Sequence, residues 1–126
     1  MNAYLLVGLG GAIGSIARYG SGVLIGRIWP SPFPLATMLI NIAGSLAMGL
    51  LVGWLARTTP AWQADARLFV AVGVLGGFTT FSAFSLDAIT LIERGALLEA
   101  ALYALGSVTV AVVALYLGLL VTRGAA

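Results

Sequence analysis

Four stretches of this chain run for about 20 residues with almost no charge, the length an α-helix needs to cross the hydrocarbon core of a bilayer. The first runs from about Tyr4 to Ile28 and the second from about Leu35 to Leu55. The third begins near Leu68 and reaches about Ile92, and the fourth covers about Leu97 to Leu120. In lipid every backbone N–H and C=O must find its partner inside the protein, so helices are the default for such stretches. Composition agrees: 61% of residues are hydrophobic and 8% charged, against about a quarter charged in soluble domains. Trp29, Trp54 and Trp62 fall at or near the ends of the spans, where interfacial tryptophans sit. The connections leave no room for a soluble domain, and no internal repeat is visible. Residues 1–126 read as one all-α transmembrane domain of four helices.

One run breaks the pattern. Inside the third stretch stand Gly76-Gly77-Phe78-Thr79-Thr80-Phe81-Ser82-Ala83-Phe84-Ser85. Glycine releases the backbone from helical geometry, and hydroxyls can satisfy the peptide groups so freed. The expectation is a helix broken over Gly76–Ser82, with Gly76 and Gly77 as the break itself. Non-helical backbone at membrane depth persists where it is buried in protein or lines a polar cavity, which makes the break a candidate ion or substrate site.

The inventory of reactive groups is short. There are six arginines and four acids, with no lysine, histidine or cysteine. Disulfides and thiolate metal sites are excluded, no basic run offers a nucleic-acid surface, and no catalytic residue stands out. The N-terminal segment lacks the basic n-region of a secretory signal and is expected to be retained as a helix. Its Gly8-Leu9-Gly10-Gly11-Ala12-Ile13-Gly14 run fails dinucleotide-loop spacing because Ile13 occupies the last glycine position. Close helix packing accounts better for Gly10/Gly14, Gly22/Gly26, Gly49/Gly53 and Gly73/Gly77, each spaced by four.

Arg18 is the only charge well inside the first stretch. It either snorkels to the headgroups or lines a vestibule that concentrates anions. In the second stretch Thr37, Asn41 and Ser45 recur every four residues, with Gly44 and Met48 near the same face. Asn41 serves either as inter-helix glue or as a pore-lining donor. Beyond the break Phe81, Phe84 and Ser85 share a face, with Asp87 a turn further on. Tyr103 and Ser107 share a face of the fourth helix.

These residues resemble the small fluoride-channel family called Fluc or CrcB, over essentially the whole chain. The match includes Gly14-Ser15-Ile16-Ala17-Arg18, Thr37 with Asn41 and Gly44, the run Gly76 to Ser82, Phe84-Ser85, and Tyr103 with Ser107. It departs from the usual family pattern at Ala36, Ala83 and Asp87, where Gly, Thr and Glu are common. The resemblance implies a passive fluoride channel of the cell inner membrane, an antiparallel dual-topology homodimer with two pores. It implies a central structural sodium ion on the backbone carbonyls of Gly76 and Thr79. It makes Phe81 and Phe84 the pore aromatics, with Asn41, Thr80, Ser82, Ser85, Tyr103 and Ser107 as polar lining and Arg18 at the vestibule.

Physical chemistry supports such roles independently. Fluoride is small and strongly hydrated, so a pore must offer donors in place of water. Aromatic ring edges are electropositive, and conduction needs sites that bind without trapping. Loop arginines are nearly balanced, Arg57, Arg67 and Arg123 against Arg27 and Arg94, which leaves little orientation bias. Two other readings fit less well. A small dual-topology multidrug exporter needs a carboxylate in the first helix, which has only Arg18. A non-conducting assembly protein explains the glycine pairs but not a break beside a polar stripe.

Overall fold

The computed structural model describes residues 2–124. Helix α1 (Ala3–Ile28) starts at Asn2, whose side-chain oxygen accepts from the Tyr4 N–H at 2.7 Å, as a good N-cap does. It stops at Trp29, before Pro30. Helix α2 (Leu35–Thr58) ends where Thr59 turns left-handed at φ 43° and Pro60 bars a further turn. The rings of Trp54 and Trp62 meet across that turn at 5.6 Å.

The third helix, α3, covers residues 63–78. It is α-helical over Gln63–Ala66, π-helical over Arg67–Leu75 and α-helical again over Gly76–Phe78. After two extended residues, α4 (Phe81–Glu93) continues, and α5 (Leu97–Arg123) completes the chain. Gly95, at φ 77°, makes the turn between them. Nearby, Arg94 Nη2 donates to Pro32 O at 3.0 Å, tying that turn to the α1–α2 loop. No strand occurs among the described residues.

Helix α2, the segment Gln63–Glu93 and α5 are each long and apolar enough to cross a membrane, and the protein is a multi-pass membrane protein. Helix α1 has 26 residues but carries seven glycines, Arg18 and Arg27, which dilute its apolarity. Among the described residues three stretches are therefore long and apolar enough to cross, where four were expected. Large aliphatic residues face outward on every helix, as they do when the surroundings are lipid.

The helices pair as α1 with α3 and α2 with α5, and glycine makes both seams. A methyl group on Gly14 would collide with the Val74 carbonyl, and one on Gly77 would lie 2.6 Å from Gly11 O. In the second seam a methyl on Gly49 would strike the Leu115 carbonyl, and one on Gly118 would meet Leu46 O at 2.7 Å. Three of the four expected glycine pairs thus pack as anticipated. Gly22 and Gly26 do not: apart from their own helix, nothing among the described residues lies within 4 Å of a methyl at either position.

The break is narrower than the sequence suggests. Gly76 is helical at φ −62°, ψ −40°, and Gly77 lies in the same helical turn. The residues that leave the helix are Thr79 (φ −82°, ψ 157°) and Thr80 (φ −151°, ψ 121°), while Ser82 is already helical. Gly76 and Gly77 are therefore not the break, and the Gly76–Ser82 boundaries contract to two residues. β-Branched threonine favours extended backbone, whereas Gly77 is small so that α1 can approach. The third segment also begins earlier than Leu68, at Gln63, with Asp65 in its first turn where the helix dipole favours an acid.

The seams predict an asymmetry among glycines. Gly49→Ala forces the helices apart and should lower stability by about 1–3 kcal/mol, read as a drop in the thermal unfolding midpoint in detergent. Gly8→Ala, with open space around it, should leave the midpoint unchanged.

Candidate functional site at the helix break

Two threonines in extended conformation free peptide groups that a helix would have paired. Side chains take them up. Asn41, on α2, makes a two-point contact with Thr80: its Nδ2 donates to Thr80 O at 3.0 Å, and Thr80 N–H donates to its Oδ1 at 2.8 Å. The carboxamide thus stands in for a missing peptide partner. Thr79 Oγ1 donates back to Leu75 O at 2.9 Å. Thr80 Oγ1 accepts from Ala83 N–H at 3.1 Å and so caps α4. Arg18 Nε, from α1, donates to Gly77 O at 3.1 Å. Among the described residues the carbonyls of Gly76, Phe78 and Thr79 accept no hydrogen bond.

A groove of about 290 Å³ opens beside the break. It is lined by Asn41, Gly44, Ser45 and Met48 from α2, by Thr79, Thr80, Phe81 and Phe84, and by Ser107, Val108, Ala111 and Leu115 from α5. Gly44 is small here because a methyl would collide with the Thr79 side chain. Among the described residues no charged side chain lines it. Asn41 has two amide hydrogens, and among the described residues only one is engaged, which leaves the second N–H available. Ser107 is 4% exposed, and among the described residues its hydroxyl has no hydrogen-bond partner. A buried hydroxyl without a partner is costly, and in a native site it marks a place for a polar ligand or water.

The aromatic residues form a contiguous run. Phe81 and Phe84 have centroids 5.6 Å apart, Phe84 and Tyr103 5.1 Å, and Phe33 meets Tyr103 edge-on at 5.6 Å. Phe81, at the open end, is 77% exposed, while Tyr103, beneath Phe84, is fully buried.

Of the residues singled out from sequence, Asn41, Gly44, Ser45, Met48, Thr79, Thr80, Phe81, Phe84 and Ser107 converge on this groove. Others lie beside it. Ser82 is exposed with its hydroxyl 3.4 Å from that of Thr80. Ser85 donates to Phe81 O within its own helix. Tyr103 donates to Asp87 at 3.1 Å. Arg18 and Thr37 face a second groove, of about 320 Å³, that shares only Thr80 with the first. The apolar wall Val108, Ala111 and Leu115 was missed. Its signal was helical spacing, since Ala111 and Leu115 follow Ser107 at successive intervals of four.

Residues 5–119 match the family described as CrcB-like protein, Camphor Resistance (CrcB). Similar curated proteins carry the name fluoride-specific ion channel FluC. One from Hyphomonas neptunium is 54% identical over 123 residues, covering 98% of this chain and 97% of its own length. One from Paracoccus denitrificans is 52% identical over 123 residues, covering 98% and 96%. One from Novosphingobium aromaticivorans is 50% identical over 128 residues, covering both chains fully.

The two-point contact at Thr80 generates a test. Asn41→Asp keeps the acceptor but removes the donor and sets a carboxylate against the Thr80 carbonyl. It should lower stability by about 1–3 kcal/mol and more than Asn41→Ser, measured by thermal unfolding in detergent. Equal stability in parent and both variants would mean that this amide does not hold the break.

Proposed function

This chain belongs to the CrcB-like family, and from that premise we propose that it is a passive fluoride channel of the cell inner membrane. Its relatives' names support the substrate. The observation that carries the reading at this site is the unpartnered, buried Ser107 hydroxyl in an uncharged groove. A small anion shedding water needs hydrogen-bond donors. The groove offers Ser107 and the second Asn41 N–H, beside the rings of Phe81 and Phe84, whose edges are electropositive. Without a carboxylate in its lining, the groove neither repels an anion nor supplies a group for proton coupling. It is transport chemistry rather than catalysis. Neutral HF enters from acid surroundings, ionises in the cytoplasm and is trapped as fluoride, and the membrane potential drives the anion out through an open pore.

Helix α1 completes the bundle as the fourth span. The functional unit is an antiparallel homodimer of dual topology, which the nearly balanced loop arginines support. A two-fold axis is also the commonest way to close a homo-oligomer. A structural sodium ion belongs to this reading. Among the described residues the carbonyls of Gly76 and Thr79 accept no hydrogen bond, and they are the hard oxygen donors that such a cation takes. No cluster of histidine, cysteine or acidic side chains competes for it among the described residues. Two copies of the break would supply four such carbonyls.

Two measurements test the proposal. In proteoliposomes the parent should release fluoride, followed with a fluoride electrode. Ser107→Ala, Phe81→Ile and Phe84→Ile should each lower that flux by about tenfold or more, the scale set by one hydrogen bond to a charged group. Ser107→Ala should leave thermal stability intact, because no partner is lost; undiminished flux would remove Ser107 from the pathway. Second, replacing sodium by a large organic cation should shift dimer toward monomer, as loss of any ligand specific to the assembled state does. An unchanged dimer would remove the structural cation.

A further inference from the structure

Arg18 has one hydrogen-bond partner among the described residues, and it is not an anion or a carboxylate but a backbone carbonyl 59 positions along the chain, Gly77 O. Gly77 lies in the last helical turn before the break. The final carbonyls of a helix have no N–H partner of their own and hold the negative end of its dipole. The seam explains how Arg18 reaches them. Gly14, one turn earlier on α1, lets that helix approach so closely that an added methyl would lie 2.8 Å from Phe78 N. A side chain four residues further on the same face then lies over the end of α3.

The peptide groups around the break divide into two sets. Leu75 O, Gly77 O and Thr80 O are engaged by Thr79, Arg18 and Asn41. Gly76 O and Phe78 O, flanking Gly77, and Thr79 O, preceding Thr80, accept no hydrogen bond among the described residues. We propose that Arg18 is a positioning residue. Through its Nε–H it caps Gly77 O and fixes the neighbouring free carbonyls, and its charge is not the property that function requires. The cation part of this inference rests on the sodium reading above; the capping part does not.

Side-chain geometry supplies a discriminating pair. Arg18→Gln places an amide N–H where Nε–H stands and deletes the charge. Arg18→Lys keeps the charge but puts a methylene at that atom. Arg18→Met removes both. Fluoride flux in proteoliposomes, at low and high ionic strength, should stay within about twofold of parent for R18Q and fall about tenfold or more for R18K and R18M. The order should be the same at both ionic strengths, since a hydrogen bond at this part-buried position is screened less than a long-range attraction between exposed charges. The sodium concentration that gives half-maximal thermal stabilisation should rise about tenfold in R18K and R18M only. Retained flux in R18K with loss in R18Q, most severe at low salt, would overturn the proposal in favour of an anion-attracting charge. Equal flux in R18Q and R18K, whether high or low, would also overturn it. If the parent shows no stabilisation by sodium, the sodium reading fails, while the order of Gln over Lys in flux still decides the capping role. Should R18M not yield folded protein, the Gln–Lys pair decides alone.

Discussion

A peptide group without a partner costs several kcal/mol in hydrocarbon, and the extended pair Thr79-Thr80 exposes several at once. Side chains of two other helices complete part of that set, Arg18 at Gly77 O and Asn41 at both polar atoms of the Thr80 backbone. The decisive contact is Asn41 with Thr80, in which both polar ends of one carboxamide meet both polar atoms of one residue's backbone. It explains why α2 lies against the break and why Gly44, one turn on, has no side chain. The groove follows from the same contact, because holding Thr80 away from helical geometry leaves open volume between α2, α4 and α5.

The bundle is held by shape more than by apolar burial. Lipid offers aliphatic side chains as good an environment as a neighbouring helix does, so association relies on close packing and hydrogen bonds. The glycine seams supply the first. Tyr103, Leu55 and Leu91 are the largest fully buried side chains. Polar contacts that cross between helices concentrate near the break and along Tyr103–Asp87. Specificity of assembly and architecture of the site therefore depend on the same few residues.

Much of this was legible in the sequence. Apolar runs, prolines and tryptophans located the helices to within a few residues at most ends. The Thr-Thr pair and the Asn41 stripe located the break and the groove beside it. What sequence could not separate were the two uses of glycine, freedom of backbone and close approach, which look identical until the partner helix is known. Gly76-Gly77 was read as the break when Gly77 serves the seam. The π-helical turns over Arg67–Leu75 carry no compositional mark at all. Asn41 was weighed as glue against lining, and the carboxamide makes both possible, since one N–H holds Thr80 and the other is free. Arg18 showed a charge in the wrong place, but its partner lies 59 residues away, beyond any local pattern.

The caps of the break also have an order in time. Arg18 and Asn41 both precede Thr79 in the chain, so a ribosome delivers α1 and α2 before the segment they complete. That segment, Gln63–Glu93, is apolar enough to enter the bilayer as one helix, with its backbone paired internally. The contacts that complete Thr80 and Gly77 come from those two helices. In the order of synthesis the partners of the break therefore exist before the break itself does.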